Sequence, residues 1–398
     1  MTPPAFPKHL RVEKADVGTR TARAFDLLRG LPVALKWATT RLQAQGLARE
    51  WRYLLGLSNR FVPTPVEFSR AGEREAYLTA AWVDAVPFDA FLQRAGAEDQ
   101  VAAVLDALAG LDHLHGAGLC HRDIRARNAL IVEGPTGPRV RWLDLEHAVT
   151  EGMLEAGVSY VAGRPAGEDR GSAAFNPQDD VRTFCLLLGQ ILEGSADGEA
   201  VRVLRAFAAR AESVFYLDEM PHARAAWTIL REMVLEAELP VPADCTALGV
   251  ARWVPRREVM RAWQTLVGDG GNGAGSVLLV HGPAGVGKRS FLAHAGGELA
   301  AGGAHVVNLL GVAEPDLQML DVNAAAGPRR VLLTEAGCRI DDDLSRRLIG
   351  GRWLVVVAGE TEREVSADAW RAAGAQVNTW SFPAFGARDW YRWIAASV

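Results

Sequence analysis

The chain has 398 residues, 49% of them hydrophobic, with 48 acidic against 43 basic side chains and a net charge of −5 at pH 7. That length implies two or three domains with sizeable cores, and the acidic excess argues against nucleic acid as the main ligand. Met1-Thr2-Pro3-Pro4 is not a signal peptide, and no apolar run approaches the roughly 18 residues of a membrane span. Cys120, Cys185, Cys245 and Cys338 lack C-x-x-C spacing, which fits a reducing cytoplasm and no zinc site.

In chain order, Leu47, Trp51, Leu54 and Leu55 recur at helical spacing. His113 and His115 flank a leucine and are expected as helix-end residues rather than ligands. The loop His121-Arg122-Asp123-Ile124-Arg125-Ala126-Arg127-Asn128 leads into a strand-like Ala129-Leu130-Ile131-Val132. A Gly134-Pro135-Thr136-Gly137-Pro138 turn then joins that strand to Val140-Arg141-Trp142-Leu143, a hairpin that delivers Asp144. Glu236 to Val250 reads as a linker and Gly268 to Gly275 as a flexible loop. The apolar strand Ser276 to Val280 enters Gly282-Pro283-Ala284-Gly285-Val286-Gly287-Lys288, and a helix follows from Phe291 to Ala301. Strands near 304–310, 330–334, 352–358 and 375–380 alternate with helical stretches, which indicates a parallel sheet covered by helices.

An Asp and an Asn five positions apart place a carboxylate and an amide on one loop. Phosphoryl transfer uses such a pair: Asp123 accepts the proton of the attacking hydroxyl, and Asn128 holds magnesium. Asp144 is placed to bind the metal that bridges the nucleotide phosphates. Lysine usage agrees with this chemistry. Lys8, Lys14, Lys36 and Lys288 are the only lysines, and two of them stand where phosphate contact calls for a compact ammonium.

The loop, hairpin and second Asp together resemble the eukaryotic-like protein kinases, with their H-R-D-L-x-x-x-N and D-F-G motifs. Pro32-Val33-Ala34-Leu35-Lys36 looks like the V-A-I-K strand, so the resemblance makes Lys36 the partner of the α- and β-phosphates and Glu50 the partner of Lys36. Ala80-Ala81-Trp82-Val83-Asp84 resembles the hinge, which implies adenine bound by the backbone of Ala81 and Val83, with Ala80 as gatekeeper. Asp179-Asp180-Val181-Arg182-Thr183-Phe184 is similar to the start of the long helix whose Asp braces the catalytic loop. Arg125 would neutralise charge on the transferring group. Arg122 would bind a phosphate on the activation segment, where Thr150, Ser159 and Tyr160 are the acceptors. Two motifs depart from the family. Only Gly18 remains of a glycine-rich loop in Asp16-Val17-Gly18-Thr19-Arg20-Thr21-Ala22, and the metal loop reads Asp144-Leu145-Glu146. Asp-x-Glu also occurs in aminoglycoside and choline phosphotransferases, which act on small molecules.

The second glycine loop, between a strand and a helix, reads as a P-loop. Its backbone N–H groups and helix dipole would cradle phosphate, with Gly282, Gly285, Gly287, Lys288, Arg289 and Ser290 as the binding set. Arg289 replaces the magnesium-ligating Ser or Thr, and Ser290 comes one residue late. Val331-Leu332-Leu333-Thr334-Glu335 looks like a Walker B strand with Thr334 in place of its Asp, while Glu335 keeps the place of the water-activating acid. Arg252-Trp253-Val254-Pro255-Arg256-Arg257-Glu258 resembles the opening box of STAND-type ATPase modules. No helical lid follows before Val398, which implies either a piece of a longer protein or a reduced module.

The expected architecture is therefore an α+β bilobal kinase-like domain at 1–243, its lobes dividing near 83, followed by a linker and entry helix at 244–275. An α/β P-loop domain with a parallel sheet completes it at 276–398. The expected function is ATP- and Mg2+-dependent phosphorylation of a protein hydroxyl in the cytoplasm, favouring Ser or Thr over Tyr. A second nucleotide at the P-loop would regulate it. Two alternatives are a pseudokinase scaffold and a small-molecule phosphotransferase.

Overall fold

The computed structural model describes residues 6–15, 19–57, 60–71, 73–134, 137–150, 176–210, 220–241, 257–269, 275–284, 287–320, 322, 329–361 and 367–383. By contacts the chain divides into two compact units. The first comprises Met1–Ser58, Thr64–Trp82 and Trp253–Val398, and the second Asn59–Pro63 and Val83–Arg252. This division cuts across the domain boundary expected near residue 243, because the N-terminal lobe groups with the C-terminal segment.

The first unit opens with strands β1 (Leu10–Ala15), β2 (Thr21–Asp26) and β3 (Leu31–Ala38). Helix α1 (Arg41–Leu57) and strands β4 (Pro65–Ala71) and β5 (Glu75–Ala81) follow. Neighbours pair antiparallel in the order β1-β2-β3-β5-β4. Alternation puts Val33, Leu35 and Trp37 of β3 into one core with Ala22 and Ala24 of β2. Thr40 caps α1: its carbonyl accepts from the Ala44 N–H and its hydroxyl from that of Gln43. The buried face of α1 includes Leu47, Glu50, Trp51, Leu54 and Leu55, which contains the spacing read from the sequence.

The second unit contains β6 (Val86–Pro87), α2 (Phe88–Arg94) and α3 (Ala97–Gly116), then β7 (Leu119–Cys120), β8 (Ala129–Gly134), β9 (Gly137–Trp142) and β10 (Val149–Thr150). Helices α4 (Pro177–Leu192), α5 (Glu199–Ala208) and α6 (Ala223–Glu236) complete it. Helix α3 is apolar nearly all round and buries Val101, Val104, Leu105, Leu108 and Leu111, as a central core helix does. The expected hairpin is β8–β9, with Ala129 opposite Trp142 and Gly134 opposite Gly137. Helix α4 starts abruptly, because Asn176 accepts from the Gln178 N–H at 3.1 Å and Pro177 occupies the first turn.

The chain then returns to the first unit with α7 (Arg257–Asp269), β11 (Ser276–His281), α8 (Lys288–Ala301), β12 (His305–Asn308) and β13 (Arg330–Glu335). Helix α9 (Asp342–Gly350), β14 (Trp353–Gly359), α10 (Ala367–Ala372) and β15 (Gln376–Ser381) follow. These strands lie parallel in the order β12-β13-β14-β11-β15, and each expected strand is present. Helix α8 begins at Lys288, three residues before the expected start. Strand β12 also pairs antiparallel with β4, at Val306 opposite Phe68, so one ten-stranded mixed sheet runs through the unit. The turn after β2 joins the same seam. Leu28 belongs to the C-terminal core, its carbonyl accepts from the Asp316 N–H at 2.8 Å, and Arg29 Nε donates to the Asn308 carbonyl at 3.1 Å.

A buried polar cluster lies beside that turn. Glu67 accepts from Arg29 Nη1 at 2.9 Å, lies 3.0 Å from His9 Nε2, and takes the Tyr77 hydroxyl hydrogen bond. Arg29 also pairs with Asp26. Burial alone would raise the Glu67 carboxyl, but His9 and Arg29 outweigh it and hold the group well below the usual range. Burial likewise pushes His9 down, and the Glu67 charge reverses that and raises it. The two limbs have opposite signs. The depressed Glu67 contributes stability above its unfolded value of about 4.3, lost as pH falls toward its folded one. The raised His9 contributes below about 6.5 and loses that contribution as pH rises through its folded value. Urea melts from pH 3 to 8 should therefore show that wild type exceeds His9→Gln by most at pH 5–6, with the margin shrinking above pH 7. A margin that grows with pH would contradict the charged pair.

No helix among the described residues is long and apolar enough to cross a membrane.

Candidate active site

In the second unit the loop from His121 to Asn128 is held by one carboxylate. Asp180, in the first turn of α4, accepts from the backbone N–H of His121 at 2.7 Å and of Arg122 at 2.8 Å, and from His115 Nε2 at 3.0 Å. Arg122 has φ 63°, a conformation disfavoured for a side-chain-bearing residue, so the two Asp180 bonds hold a strained bend. Burial would push the Asp180 carboxyl up, but His115 and these N–H donors keep it below its usual range. His115, read from the sequence as a bland helix end, is therefore part of the brace. Nothing local in the sequence signals this, since Asp180 lies 65 residues away. Asp180→Ala would strand the buried His121 N–H and the partly buried Arg122 N–H, at up to about 1–3 kcal/mol each. It should lower stability by about 2–5 kcal/mol in urea melts, and a loss under about 0.5 kcal/mol would rule out the brace.

The buried His121 ring ties the loop to the end of β9. Its Nε2 lies 2.8 Å from the Leu143 carbonyl, and its Nδ1 accepts from the Asp123 N–H at 3.3 Å. That pattern needs the neutral Nε2-H tautomer, and burial lowers the ring pKa in agreement. The Leu143 N–H in turn donates to the Asn128 carbonyl at 2.8 Å. Both backbone groups of Leu143 are thus held by the loop, which places Asp144 beside it. Asp144 has φ 64° and opens a short 3-10 turn over Leu145–His147.

Inside the loop, Asn128 Nδ2 donates to the Asp123 carbonyl at 2.9 Å and to the Asp123 carboxylate at 2.8 Å. Arg125 Nε pairs with the other Asp123 oxygen. Asp123 and Asn128 are almost fully buried, whereas Arg125 is partly exposed. With its nitrogen committed to Asp123, Asn128 could offer its side-chain oxygen to a metal, and Asp144 could offer a carboxylate. That hard oxygen set suits magnesium.

The first unit carries the other expected pair. Lys36 Nζ on β3 donates to both Glu50 oxygens on α1, at 2.7 and 2.9 Å, and Glu50 is buried. Ala81 N–H is used on the Thr64 carbonyl at 2.8 Å, and the expected hinge coincides with the junction of the units, between Trp82 and Val83. Asp16, Val17 and Gly18 of the degenerate glycine loop, together with Ser159 and Tyr160, lie outside the described residues, whereas Thr150 ends β10.

At the second glycine loop, Gly287 caps α8 with φ 80°, a conformation glycine adopts without strain. Lys288 Nζ donates to the carbonyls of Gly282 at 2.5 Å and Pro283 at 2.7 Å. Arg289 forms a two-point pair with Glu335, including Nη2 to Oε2 at 2.7 Å, and the other Glu335 oxygen accepts from the Gly311 N–H at 3.0 Å. With the Arg289 guanidinium on Glu335 and Thr334 where a carboxylate would stand, these residues do not fit a magnesium ion. Gly285 and the Ser290 side chain lie outside the described residues.

No protein-family model matches the chain, and no curated protein matches it significantly.

Proposed function

We propose that the chain is an ATP-dependent protein kinase. The observation that carries this reading is the interlocked loop: Leu143 is held by His121 and Asn128, so Asp123, Asn128 and Asp144 share one rigid framework. Asp123 takes the role of base or positioning group for a protein hydroxyl, with Arg125 offsetting charge on the transferring group. Asn128 and Asp144 would hold magnesium, which when bound neutralises phosphate charge. Lys36, fixed by Glu50, contacts the nucleotide phosphates as a point charge. The C-terminal module fits a nucleotide-binding regulator better than an ATPase, because Arg289 engages Glu335.

The test is incubation of purified chain with γ-labelled ATP and magnesium, followed by detection of labelled protein. Label on the chain or on a generic protein substrate is expected. Label on an aminoglycoside or amino alcohol alone would favour the small-molecule phosphotransferase. Nucleotide binding without any transfer would favour the scaffold reading, which Glu146 at the usual glycine position supports. For the second site, Lys288→Ala should lower nucleotide stoichiometry in calorimetry from two to one, with negligible phosphate release from that site in the parent. Robust Lys288-dependent hydrolysis would overturn the regulator assignment.

A further inference from the structure

Helix α8, which begins at Lys288, and helix α1, which carries Glu50, meet with almost no space between them. The Trp51 indole N–H donates to the Gly297 carbonyl at 3.2 Å. A Cβ at Gly297 would overlap Leu55 Cδ1 and lie 3.1 Å from Trp51 Nε1, and one at Gly296 would overlap Leu333 Cδ1 on β13. The glycine pair therefore wedges α8 between the parallel sheet and α1. Trp51 also stacks on Phe68 of β4, at 5.9 Å and 23°, and Phe68 sits opposite Val306 where the two halves of the sheet join. Arg52 and Glu298 form a partly exposed pair at 3.5 Å along the same edge.

Trp51 directly follows Glu50, so fixing one backbone position fixes the other. The Lys36–Glu50 pair is largely buried, so breaking it would leave a charge uncompensated, and its geometry depends on where α1 is held. Buried Trp51 and Leu55 bring large apolar surfaces to the same helix, and both meet α8 at Gly297. Helix α8 is thus one support of α1, alongside β3, β4 and β5, and Glu50 moves with the helix.

We propose that α8 is a built-in activator: docking at Gly296-Gly297 holds α1 where Glu50 closes on Lys36, so the C-terminal module regulates nucleotide binding at Lys36. This rests on the reading of Lys36 as the phosphate-contacting lysine. A ligand held at Lys288 would bear on α1 through α8, since Lys288 and Gly297 are on one helix about 14 Å apart at 1.5 Å per residue.

The experiment uses the full chain carrying Lys288→Ala, so that N-methylanthraniloyl-ADP reports the Lys36 site. Adding Gly297→Val should weaken that probe at least tenfold and speed amide exchange across α1 at least tenfold, while α3 in the other unit keeps its protection. Leu55→Ala added to Gly297→Val vacates the space the valine needs and should return both readouts toward the parent. A protein with only a packing defect would be weakened further by that second truncation. Gly56→Ala, whose Cβ meets nothing within 4 Å, serves as the control and should leave both unchanged. If Gly297→Val leaves probe affinity intact although Lys36→Ala abolishes it, the inference has failed and the kinase-site reading stands. If Lys36→Ala has no effect on the probe, the underlying reading has failed, and faster α1 exchange would still establish the docking contact. Should Gly297→Val unfold the chain, Trp51→Phe decides: it removes the donor to Gly297 and keeps the ring, so several-fold weaker binding supports the activator and unchanged binding overturns it.

Discussion

Asp123→Asn should lower phosphoryl transfer on the order of 10²–10⁴-fold, the range for loss of a general base, with little change in stability. Asparagine keeps the shape and an oxygen that can accept from Asn128 Nδ2, so the loop stays closed. It loses the negative charge that pairs with Arg125 and that, on the proposed reading, would accept the hydroxyl proton. Asp144→Asn should act on the same scale by a different route, since a neutral amide holds a hard dication less firmly than a carboxylate. Raising magnesium should restore part of the Asp144→Asn activity and none of the Asp123→Asn activity. Initial rates with labelled ATP across a magnesium series, alongside thermal melts, read this directly. If Asp144→Asn transfers phosphate as fast as the parent, the kinase assignment is wrong.

The second large effect concerns the seam within the first unit. A chain ending at residue 241 should fail to form a stable first unit, although an independent kinase domain at 1–243 would tolerate the cut. Phe68 and Leu28 are fully buried and Trp51 is nearly so, and each touches the C-terminal segment. Exposing buried residues of this size costs about 2–5 kcal/mol each on the scale of large-to-alanine substitutions. That sum is comparable with the whole stability of about 5–15 kcal/mol of a typical domain. Strand β4 would also become an unprotected edge, prone to association. The truncated chain should show exchange-labile β1–β5 and α1, lose nucleotide binding, and aggregate. In the full chain, Trp51→Ala alone should cost about 3–5 kcal/mol in urea melts. A soluble 1–241 fragment with parent-like protection of α1 would show that the N-terminal strands are self-sufficient.

Much of the geometry around the site residues was legible in the sequence because it is local. Asp123 and Asn128 are five residues apart on one loop, and the β8–β9 hairpin that delivers Asp144 is announced by its turn residues. The glycine loop between β11 and α8 and the parallel strands after it follow from apolar runs and turn composition in the same way. The pairing of Lys36 with Glu50, 14 residues on, came from the resemblance alone, and the structure brings the two side chains together at 2.7 Å.

Tertiary structure alone decided what depends on encounters between distant segments. The brace at Asp180 draws in His115, and Arg289 meets Glu335 46 residues later, neither of which any local periodicity encodes. The join between β4 and β12 rests on a single register pair, Val306 with Phe68, and an edge strand carries no mark of which strand it will accept. Likewise Gly297 reads as an ordinary helix glycine, and only the position of Trp51 and Leu55 gives its missing side chain a meaning. The sequence determined the local loops and the order of elements. Close packing of segments more than 200 residues apart, which no local pattern records, determined that the first lobe and the C-terminal module share one sheet.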